Sequence, residues 1–372
     1  MNDKIKNIVN TVMFLLIIVG FFGINLMLPS NELSSSERRA LRQRPEISKP
    51  SVILDKQFYA DVEEYFLDQF LLRDGFRGVK ALTAYNLLGL CDNNGIYMQN
   101  GHVYKMDFPL NEDNIVRAAD RFNLICETYF QDKAMNVYYS VIPDKNYFSR
   151  GYLAYDYDRL LQILHENVSG MEYIDIFGVL ALNDYYRADL HWKQESLLPA
   201  AEKLIASMGK EYLNPGYTQH RLENFKGAYF GQAALPLKPD TLTYLTGGAI
   251  SGARAYRHAY SQADGAHKIE TPVYDPNAFN GVDPYNLFLG GPQMIVEIEN
   301  PANQGGGELY IFRDSFGSSI APLLLENYSK ITLIDMRYIR HTLYERFISF
   351  TPGSDVLFLF STQILNHSMM LQ

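Results

Sequence analysis

A serine stands where an apolar run of the sequence gives way to a short polar turn. Residues 309–312 are predicted to form a strand, the sequence Arg313-Asp-Ser315-Phe316-Gly317 follows, and a helix is predicted over 319–328. Open α/β sheets place their sites at the carboxyl ends of strands. Ser315 is therefore a candidate nucleophile, and the amides of Phe316 and Gly317 are candidate donors to an oxyanion. The alternative is that Ser315 only caps the helix.

A second candidate is the sequence Asp189-Leu-His191-Trp192. A serine nucleophile needs a base, and the base needs an acid that orients it. In an extended segment Asp189 and His191 would point to the same side, so the carboxylate can hold the imidazole tautomer. The alternative is a structural histidine paired with a nearby acid. No further ligand stands at helical spacing from His191, so neither a metal nor a cofactor is predicted.

Alternating elements must position these residues. Strands are predicted at 136–142, 171–176, 309–312, 330–334 and 355–360, and helices at 112–130, 155–167, 194–208 and 319–328. This alternation predicts an α/β fold with a mainly parallel sheet over residues 111–372. The stretch 217–291 is rich in Gly, Tyr, Pro and Ala and interrupts the rhythm, so we interpret it as an inserted loop or β region.

The N-terminal part has a different character. Lys4 and Lys6 precede an apolar stretch over residues 8–28, which is long enough to cross a bilayer as a helix. It ends without an Ala-x-Ala site, which favours an uncleaved signal anchor (residues 1–30) over a cleaved signal peptide. The positive-inside rule then places the following domain outside the cell membrane. Residues 31–110 are predicted to contain a linker, a helical arm over 51–90, and a hairpin turned at Asn100-Gly101.

Net charge and cysteine content limit which classes of partner and metal site are expected. The net charge is −9 and no basic run follows the N-terminus, which argues against a nucleic-acid partner. Cys91 and Cys126 lack the spacing of a zinc site. A disulfide between them and two free thiols both remain open.

The sequence also resembles a known family. Asp189-Leu-His-Trp192 is similar to the Asp-Thr-His-Trp and Asp-His-His-Trp signatures of the alginate O-acetyltransferase group and the related DHHW proteins, which have SGNH-hydrolase-like domains. Leu190 stands where the family has Thr or His. Further motifs follow in the family's order: Ser36-Glu37-Arg38-Arg39-x-Leu41, Asp68-Gln69-Phe70-x-x-Arg73-Asp74, Asn94-Gly95-Ile96-Tyr97, Pro143-Asp144-Lys145-Asn146, residues 285–290, Arg313-Asp-Ser-Phe-Gly317 and Ile334-Asp335-x-Arg337-Tyr338.

The resemblance implies a three-layer α/β domain with Asp189, His191 and Ser315 as a catalytic triad. It points to Lys145, Arg337 and Trp192 as candidate substrate-binding residues. For Lys145 and Arg337, a salt bridge that closes a strand end is the favoured alternative. It further implies two partners, a polysaccharide that accepts acetyl groups and a membrane-bound O-acyltransferase that supplies them.

These inferences predict an O-acetyltransferase that modifies an extracellular polysaccharide through an acetylated Ser315. Two rival functions remain open. One is an acetylesterase that uses the same residues with water as the acceptor. The other is a non-catalytic glycan-binding or assembly protein that keeps the fold.

Overall fold

The computed structural model describes residues 3–34, 36–47, 52, 55–149, 154–262 and 264–372. Within it the chain forms two compact units. The smaller comprises residues 1–93 and 230–236, and the larger comprises residues 94–229 and 237–372.

The smaller unit begins with a long apolar helix. Its elements are α1 (Asp3–Met27), β1 (Leu33–Ser34), β2 (Arg39–Ala40), α2 (Lys56–Asp68), α3 (Arg73–Leu82) and β3 (Asp92–Asn93). Helix α1 is long and apolar enough to span a membrane. The arm predicted as one helical stretch is two helices, because Leu72 adopts a left-handed backbone (φ 59°) between them. Residues 51, 53 and 54 of the predicted arm lie outside the described residues.

Ion pairs hold the short strands of this unit against α3. Glu37 forms ion pairs with Arg73, at an N–O distance of 2.6 Å, and with Arg77, at 3.2 Å. Asp68 accepts from Arg39 at 2.8 Å through one carboxylate oxygen and at 2.5 Å through the other. These ion pairs therefore link the sequence motif at residues 36–41 to the motif at residues 68–74.

The larger unit contains most of the strands and helices. Together with α8, which includes residues of both units, its elements are β4 (Ile96–Gln99), β5 (His102–Lys105), α4 (Glu112–Tyr129), β6 (Asn136–Ile142), α5 (Lys145–Phe148), α6 (Tyr157–Asn167), β7 (Glu172–Tyr173), α7 (Leu198–Ser207), β8 (Thr218–Phe225), α8 (Ala228–Ala233), β9 (Asp240–Thr246), α9 (Gly248–Gly252), β10 (Arg254–Ser261), β11 (Gly265–Thr271), β12 (Ile295–Glu299), β13 (Glu308–Arg313), α10 (Gly317–Leu324), β14 (Lys330–Ile334), β15 (Asp355–Ser361) and α11 (Thr362–Asn366).

Eight strands form the central sheet, in the order β11-β10-β12-β14-β13-β15-β6-β7. The neighbours from β14 to β7 pair in parallel, and β11, β10 and β12 extend the sheet with antiparallel pairing. The predicted α/β fold with a mainly parallel sheet is confirmed. The stretch 217–291 contributes more than an insertion, because β10 and β11 join the sheet while β8 and β9 pair separately.

Helices cover both faces of this sheet. Alternate residues of β13 face opposite cores, with Leu309 and Ile311 in one and Tyr310 and Phe312 in the other. The first core includes residues of α7 and α10, and the second includes residues of α4 and α6. The period of two along β13 therefore produces the predicted three layers.

The carboxyl ends of β6, β13 and β15 meet at one edge. The Ser361 amide at the end of β15 donates to Asp314 Oδ2 at 2.8 Å, and the Asp144 amide after β6 donates to Thr362 Oγ1 at 3.2 Å. The first bond holds the turn that carries Ser315, and the second ties the end of β6 to the residue just after β15.

Candidate active site

Ser315, His191 and Asp189 form one hydrogen-bonded chain. His191 Nε2 lies 2.8 Å from Ser315 Oγ, and His191 Nδ1 lies 2.6 Å from Asp189 Oδ1. Asp189 is fully buried and His191 is buried, while Ser315 is partly exposed. A neutral imidazole with its proton on Nδ1 can donate to Asp189 and accept the hydroxyl proton of Ser315. This is the order of contacts that a serine nucleophile with a general base requires.

Asp189 is held in a tight loop rather than in an extended segment. Tyr185 and Trp192 pair across the loop, and the Tyr186 amide donates to the His191 carbonyl at 3.1 Å. Asp189 Oδ1 also accepts from the amide of His191 at 2.9 Å. The predicted closeness of the two side chains is therefore present, but it arises from a turn in which the carboxylate binds its own chain.

The turn after β13 differs from the predicted oxyanion site. The Phe316 amide donates to Asp314 Oδ1 at 3.0 Å, and the Gly317 amide donates to the Asp314 carbonyl at 3.1 Å. Neither amide is available to an oxyanion without losing that bond, which corrects the prediction. In the described part of the chain, the Ser315 amide donates to no acceptor.

The alternative role for Ser315, as a helix cap, also fails. The side-chain oxygen that binds an amide at the start of α10 belongs to Asp314, while Ser315 Oγ is bonded to His191. Asp314 is fully buried and accepts amides through both oxygens, so it shapes the turn.

Trp192 lies beneath the site and has no exposed surface. Its Nε1 donates to Ser319 Oγ at 2.8 Å and to the Phe316 carbonyl at 3.2 Å. In this geometry the ring presents no surface to a substrate, which does not support the predicted substrate contact of Trp192. Trp192 instead ties the loop of His191 to the turn of Ser315.

Tyr285 supports the imidazole from the other side. Its ring stacks on His191 with centroids 3.7 Å apart and an angle of 7° between the planes. The Tyr285 hydroxyl donates to Ser319 Oγ at 2.8 Å, so it shares that hydroxyl with Trp192. The sequence marked Tyr285 only as part of a family motif, and the contact depends on how residues 217–291 fold back.

Residues 227 and 228 close the site behind Asp189. The Ala228 amide donates to Asp189 Oδ2 at 2.6 Å. A Cβ at Gly227 would lie 2.4 Å from the Ala188 carbonyl oxygen and 2.4 Å from Asp189 Cβ. Because Gly227 has no side chain, the segment that follows β8 can approach the Asp189 carboxylate closely. Sequence reasoning gave no signal for either residue.

Lys145 is almost fully buried and contacts backbone carbonyls rather than a carboxylate. Its Nζ donates to the carbonyls of Tyr186 at 3.1 Å and Arg187 at 3.0 Å, and it lies over the rings of Tyr104 and Tyr229. Burial lowers the pKa of Lys145 to about 7. Among the described residues Lys145 forms no salt bridge, which corrects that alternative, and it instead holds the chain just before Asp189. The substrate contact of Lys145 stays a prediction.

Arg337 forms the salt bridge that was favoured for it. Its Nε and Nη2 donate to the two oxygens of Asp335 at 2.8 and 2.6 Å, and the Asp335 carboxylate is fully buried. The pair closes the end of β14, so Arg337 acts in the fold rather than as a substrate ligand in this geometry.

Two other features bear on the chemistry. Across the described residues, no three His, Cys, Asp or Glu side chains cluster as a metal site would need. No disulfide joins the two cysteines, and Cys126 lies half-buried in α4, where burial raises the pKa of its thiol to about 12.

The chain is similar to one known protein family. The family described as DHHW protein matches residues 163–334, which include Asp189, His191 and Ser315. This match confirms the resemblance predicted from the motifs. No curated protein matches the chain.

Solved structures share the fold. A DHHW family protein from Eubacterium siraeum has a TM-score of 0.59 at 22% identity, over 74% of this chain and 93% of that one. Bacillus cereus PatB1 has a TM-score of 0.57 at 14% identity, over 75% of this chain and 100% of that one. A second PatB1 structure, with a sulfonyl adduct, has a TM-score of 0.55 at 15% identity, over 73% and 97%.

Proposed function

Because residues 163–334 match the DHHW protein family, we propose that this chain is a serine-dependent O-acetyltransferase that acts on an extracellular polysaccharide. The observation that carries the proposal is the unbroken hydrogen-bonded chain from Asp189 through His191 to the hydroxyl of the partly exposed Ser315. Substrate identity lies outside this geometry, so the acceptor class rests on the family resemblance.

The first half-reaction forms an acyl-enzyme. Ser315 Oγ attacks the acetyl carbonyl carbon while its proton passes to His191 Nε2, and Asp189 stabilises the resulting imidazolium. The carbonyl oxygen becomes an oxyanion that the Ser315 amide can bind, since that amide donates elsewhere to no described residue. The leaving group then departs with the proton from His191, and an acetyl ester remains on Ser315.

The second half-reaction transfers the acetyl group. A sugar hydroxyl gives its proton to His191 Nε2 and attacks the ester carbon, and the proton returns to Ser315 Oγ as the bond breaks. With water as the acceptor the same steps would make the chain an acetylesterase. The acceptor therefore separates the two functions, and the triad does not.

We propose that α1 anchors the chain in the cell membrane, with Lys4 and Lys6 on the cytoplasmic side and the larger unit outside. The acceptor polysaccharide would then lie on the same side as Ser315. The expected source of acetyl groups is a membrane-bound O-acyltransferase partner, as the resemblance implies.

The decisive experiment is detection of the acyl-enzyme. Full-length protein is incubated with p-nitrophenyl acetate, and intact and peptide masses are measured. We expect one added acetyl group, on Ser315, in the wild type and none in Ser315→Ala. Removal of the nucleophile should also reduce p-nitrophenol release by several orders of magnitude. An unchanged rate in folded Ser315→Ala would contradict the mechanism and favour a glycan-binding role.

A second experiment separates transfer from hydrolysis. Cellopentaose is added as a probe acceptor together with p-nitrophenyl acetate, and acetylated oligosaccharide and free acetate are quantified. Ser315-dependent acetylated product supports the transferase. Acetate alone, over a panel of neutral and uronic-acid oligosaccharides, would support the esterase.

The sulfonyl adduct of Bacillus cereus PatB1 suggests a further probe of the nucleophile. Sulfonyl fluorides modify activated nucleophiles. We expect phenylmethylsulfonyl fluoride to modify Ser315, and we expect much slower modification in His191→Ala because the general base is missing. Equal rates of modification in the two proteins would mean that His191 does not activate Ser315.

A further inference from the structure

Helix α3 turns its two arginines inward and the apolar residues Phe76 and Val79 outward, while its other charged residues, Asp74 and Lys80, are exposed. The side chains of Arg73 and Arg77 are 19% and 17% exposed and both pair with Glu37. Leu72, Phe76 and Val79, at spacings of four and three, are 67%, 52% and 63% exposed. An ordinary surface helix of a soluble protein has the opposite arrangement. The outward residues form an apolar face that the smaller unit itself leaves uncovered.

The inward side of α3 is fully engaged within the smaller unit. Ala81 is fully buried, the Arg77 guanidinium donates to the Gly231 carbonyl at 3.0 Å, and a Cβ at Gly78 would contact the Ala234 carbonyl at 3.4 Å. The helix therefore cannot rotate to bury its apolar face without breaking the ion pairs and this packing. The exposed face is a fixed property of the unit.

The same arm is continuous with the apolar surface of α1. The ring of Phe21 lies 5.9 Å from that of Phe70 and 6.4 Å from that of Phe76, and the ring of Phe22 lies 5.8 Å from that of Phe66. These rings, with Ile17 and Ile18, line an apolar groove of about 450 Å³. The apolar side of α1 thus continues directly onto the arm.

The depth of these contacts fits the membrane interface. Phe21 precedes the last residue of α1, Met27, by six positions, which at 1.5 Å per residue is about 9 Å along the helix. Amphipathic helices that lie in the interface bury their apolar faces to about 5–10 Å. In addition, the polar Asn25 of α1 is buried and accepts from the Leu71 amide at 2.8 Å, so the arm satisfies a polar group near the end of the span.

We propose that the apolar face formed by Phe76 and Val79 of α3, together with Leu72 just before the helix, inserts into the outer leaflet beside α1. The occupant of this face is the acyl region of the lipid bilayer. Such insertion would hold the start of the extracellular part of the chain at the membrane surface with two contacts rather than one. The inference rests on the proposed anchor α1 and is independent of the chemistry at Ser315.

Tryptophan fluorescence tests the proposal, because the chain has one tryptophan and Trp192 is fully buried in the larger unit. Full-length Val79→Trp is reconstituted into phosphatidylcholine–phosphatidylglycerol liposomes, with or without bromine on the upper part of the phosphatidylcholine acyl chains. We expect the added emission to be blue-shifted and mostly quenched by the brominated lipid. Phe76→Trp provides a second reporter by an aromatic exchange.

The matched control is Glu64→Trp. Glu64 is 61% exposed, close to the value for Val79, but it lies beside Arg42 on the acidic side of α2. We expect the tryptophan emission of Glu64→Trp to have its maximum at a longer wavelength, as in water, and not to be quenched by the brominated lipid. Equal quenching of Glu64→Trp would show that the whole arm sinks into lipid without the orientation proposed here, and would overturn the inference.

A reporter in α1 separates failure of this inference from failure of the anchor. Leu16→Trp should be quenched if α1 spans the bilayer. Quenching at Leu16→Trp with none at Val79→Trp or Phe76→Trp would support the anchor and refute the lipid contact of α3. Residue-specific cross-linking of position 79 to a second protein copy would also refute the lipid contact of α3. No quenching at any position would refute the anchor and the inference together, without bearing on acyl transfer by Ser315.

Discussion

The ring of Tyr285 lies flat on the imidazole of His191, with centroids 3.7 Å apart and planes within 7° of parallel. Asp189 fixes one edge of the imidazole by a hydrogen bond, and Tyr285 fixes its face. The Tyr285 hydroxyl is bonded in turn to Ser319, in the first turn of the helix that follows the nucleophile. One side chain therefore couples the orientation of the base to the position of the serine.

Replacing Tyr285 by leucine removes the flat support and should let the imidazole rotate away from Ser315. We expect kcat for p-nitrophenyl acetate to fall by roughly 10- to 100-fold, which is the order of effect for about 1 Å of misplacement. Tyr285→Phe keeps the stack and loses only the bond to Ser319, so it is the matched control. A Tyr285→Leu variant that keeps wild-type kcat while remaining folded would show that Asp189 alone orients His191.

Replacing Trp192 by phenylalanine removes the two hydrogen bonds from Nε1 and keeps an aromatic ring. Because Trp192 is fully buried, we expect kcat to fall while KM for p-nitrophenyl acetate and for an oligosaccharide acceptor stays unchanged. Loss of the two hydrogen bonds that the buried indole N–H makes should also lower the free energy of unfolding by about 1–3 kcal/mol. Steady-state kinetics decide this, since a higher KM with unchanged kcat would restore the substrate-binding role.

Replacing Gly227 by alanine places a methyl group 2.4 Å from the Ala188 carbonyl oxygen and Asp189 Cβ. The backbone must shift, which should cost about 1–3 kcal/mol of unfolding free energy and disturb the Ala228 bond to Asp189. Gly178→Ala is the control, because no atom lies within 4 Å of its added Cβ. Thermal unfolding of both variants measures the difference. Equal melting temperatures would mean that the loop relaxes freely.

The buried Lys145 makes stability depend on pH in a defined direction. Its pKa falls from the ordinary value of 10.5 to about 7 in the folded chain, so between these values the unfolded chain binds the extra proton. The free energy of unfolding should therefore rise as pH increases from 7 towards 10.5. Below pH 7 both states are protonated and the cost of burying the charge is fully present.

Lys145→Met isolates this effect, because methionine has similar length and no proton to bind. Denaturant unfolding of both proteins from about pH 6 to about pH 10 should show the wild type gaining stability relative to Lys145→Met as the pH rises. The bonds to the Tyr186 and Arg187 carbonyls are lost in the variant at every pH, so they shift the difference without changing its slope. A difference that does not vary with pH would contradict the lowered pKa.

Local sequence determined the larger share of the fold. The predicted strand 136–142 coincides with β6, and the predicted helix 112–130 ends one residue beyond α4, because strong periodicity and clear caps such as Asn111 specify such elements. β12 was not predicted, although it lies inside the central sheet. Its pairing with β10 and β14 comes from distant parts of the chain, and no local pattern encodes that pairing.

The candidate site divides in the same way. The sequence alone identified Ser315, His191 and Asp189, because their residue types, their chain order and the neighbouring motifs restrict the chemistry. Only the tertiary structure assigned the roles around them. Trp192 and Lys145 look like substrate ligands in a motif, but in the structure they are buried against the loop and the turn of the triad, and their burial is decided by elements far away in the chain. The same holds for Tyr285 and Gly227, whose contacts with the triad exist only because residues 217–291 fold back against it, and packing of that kind has no local signature in sequence.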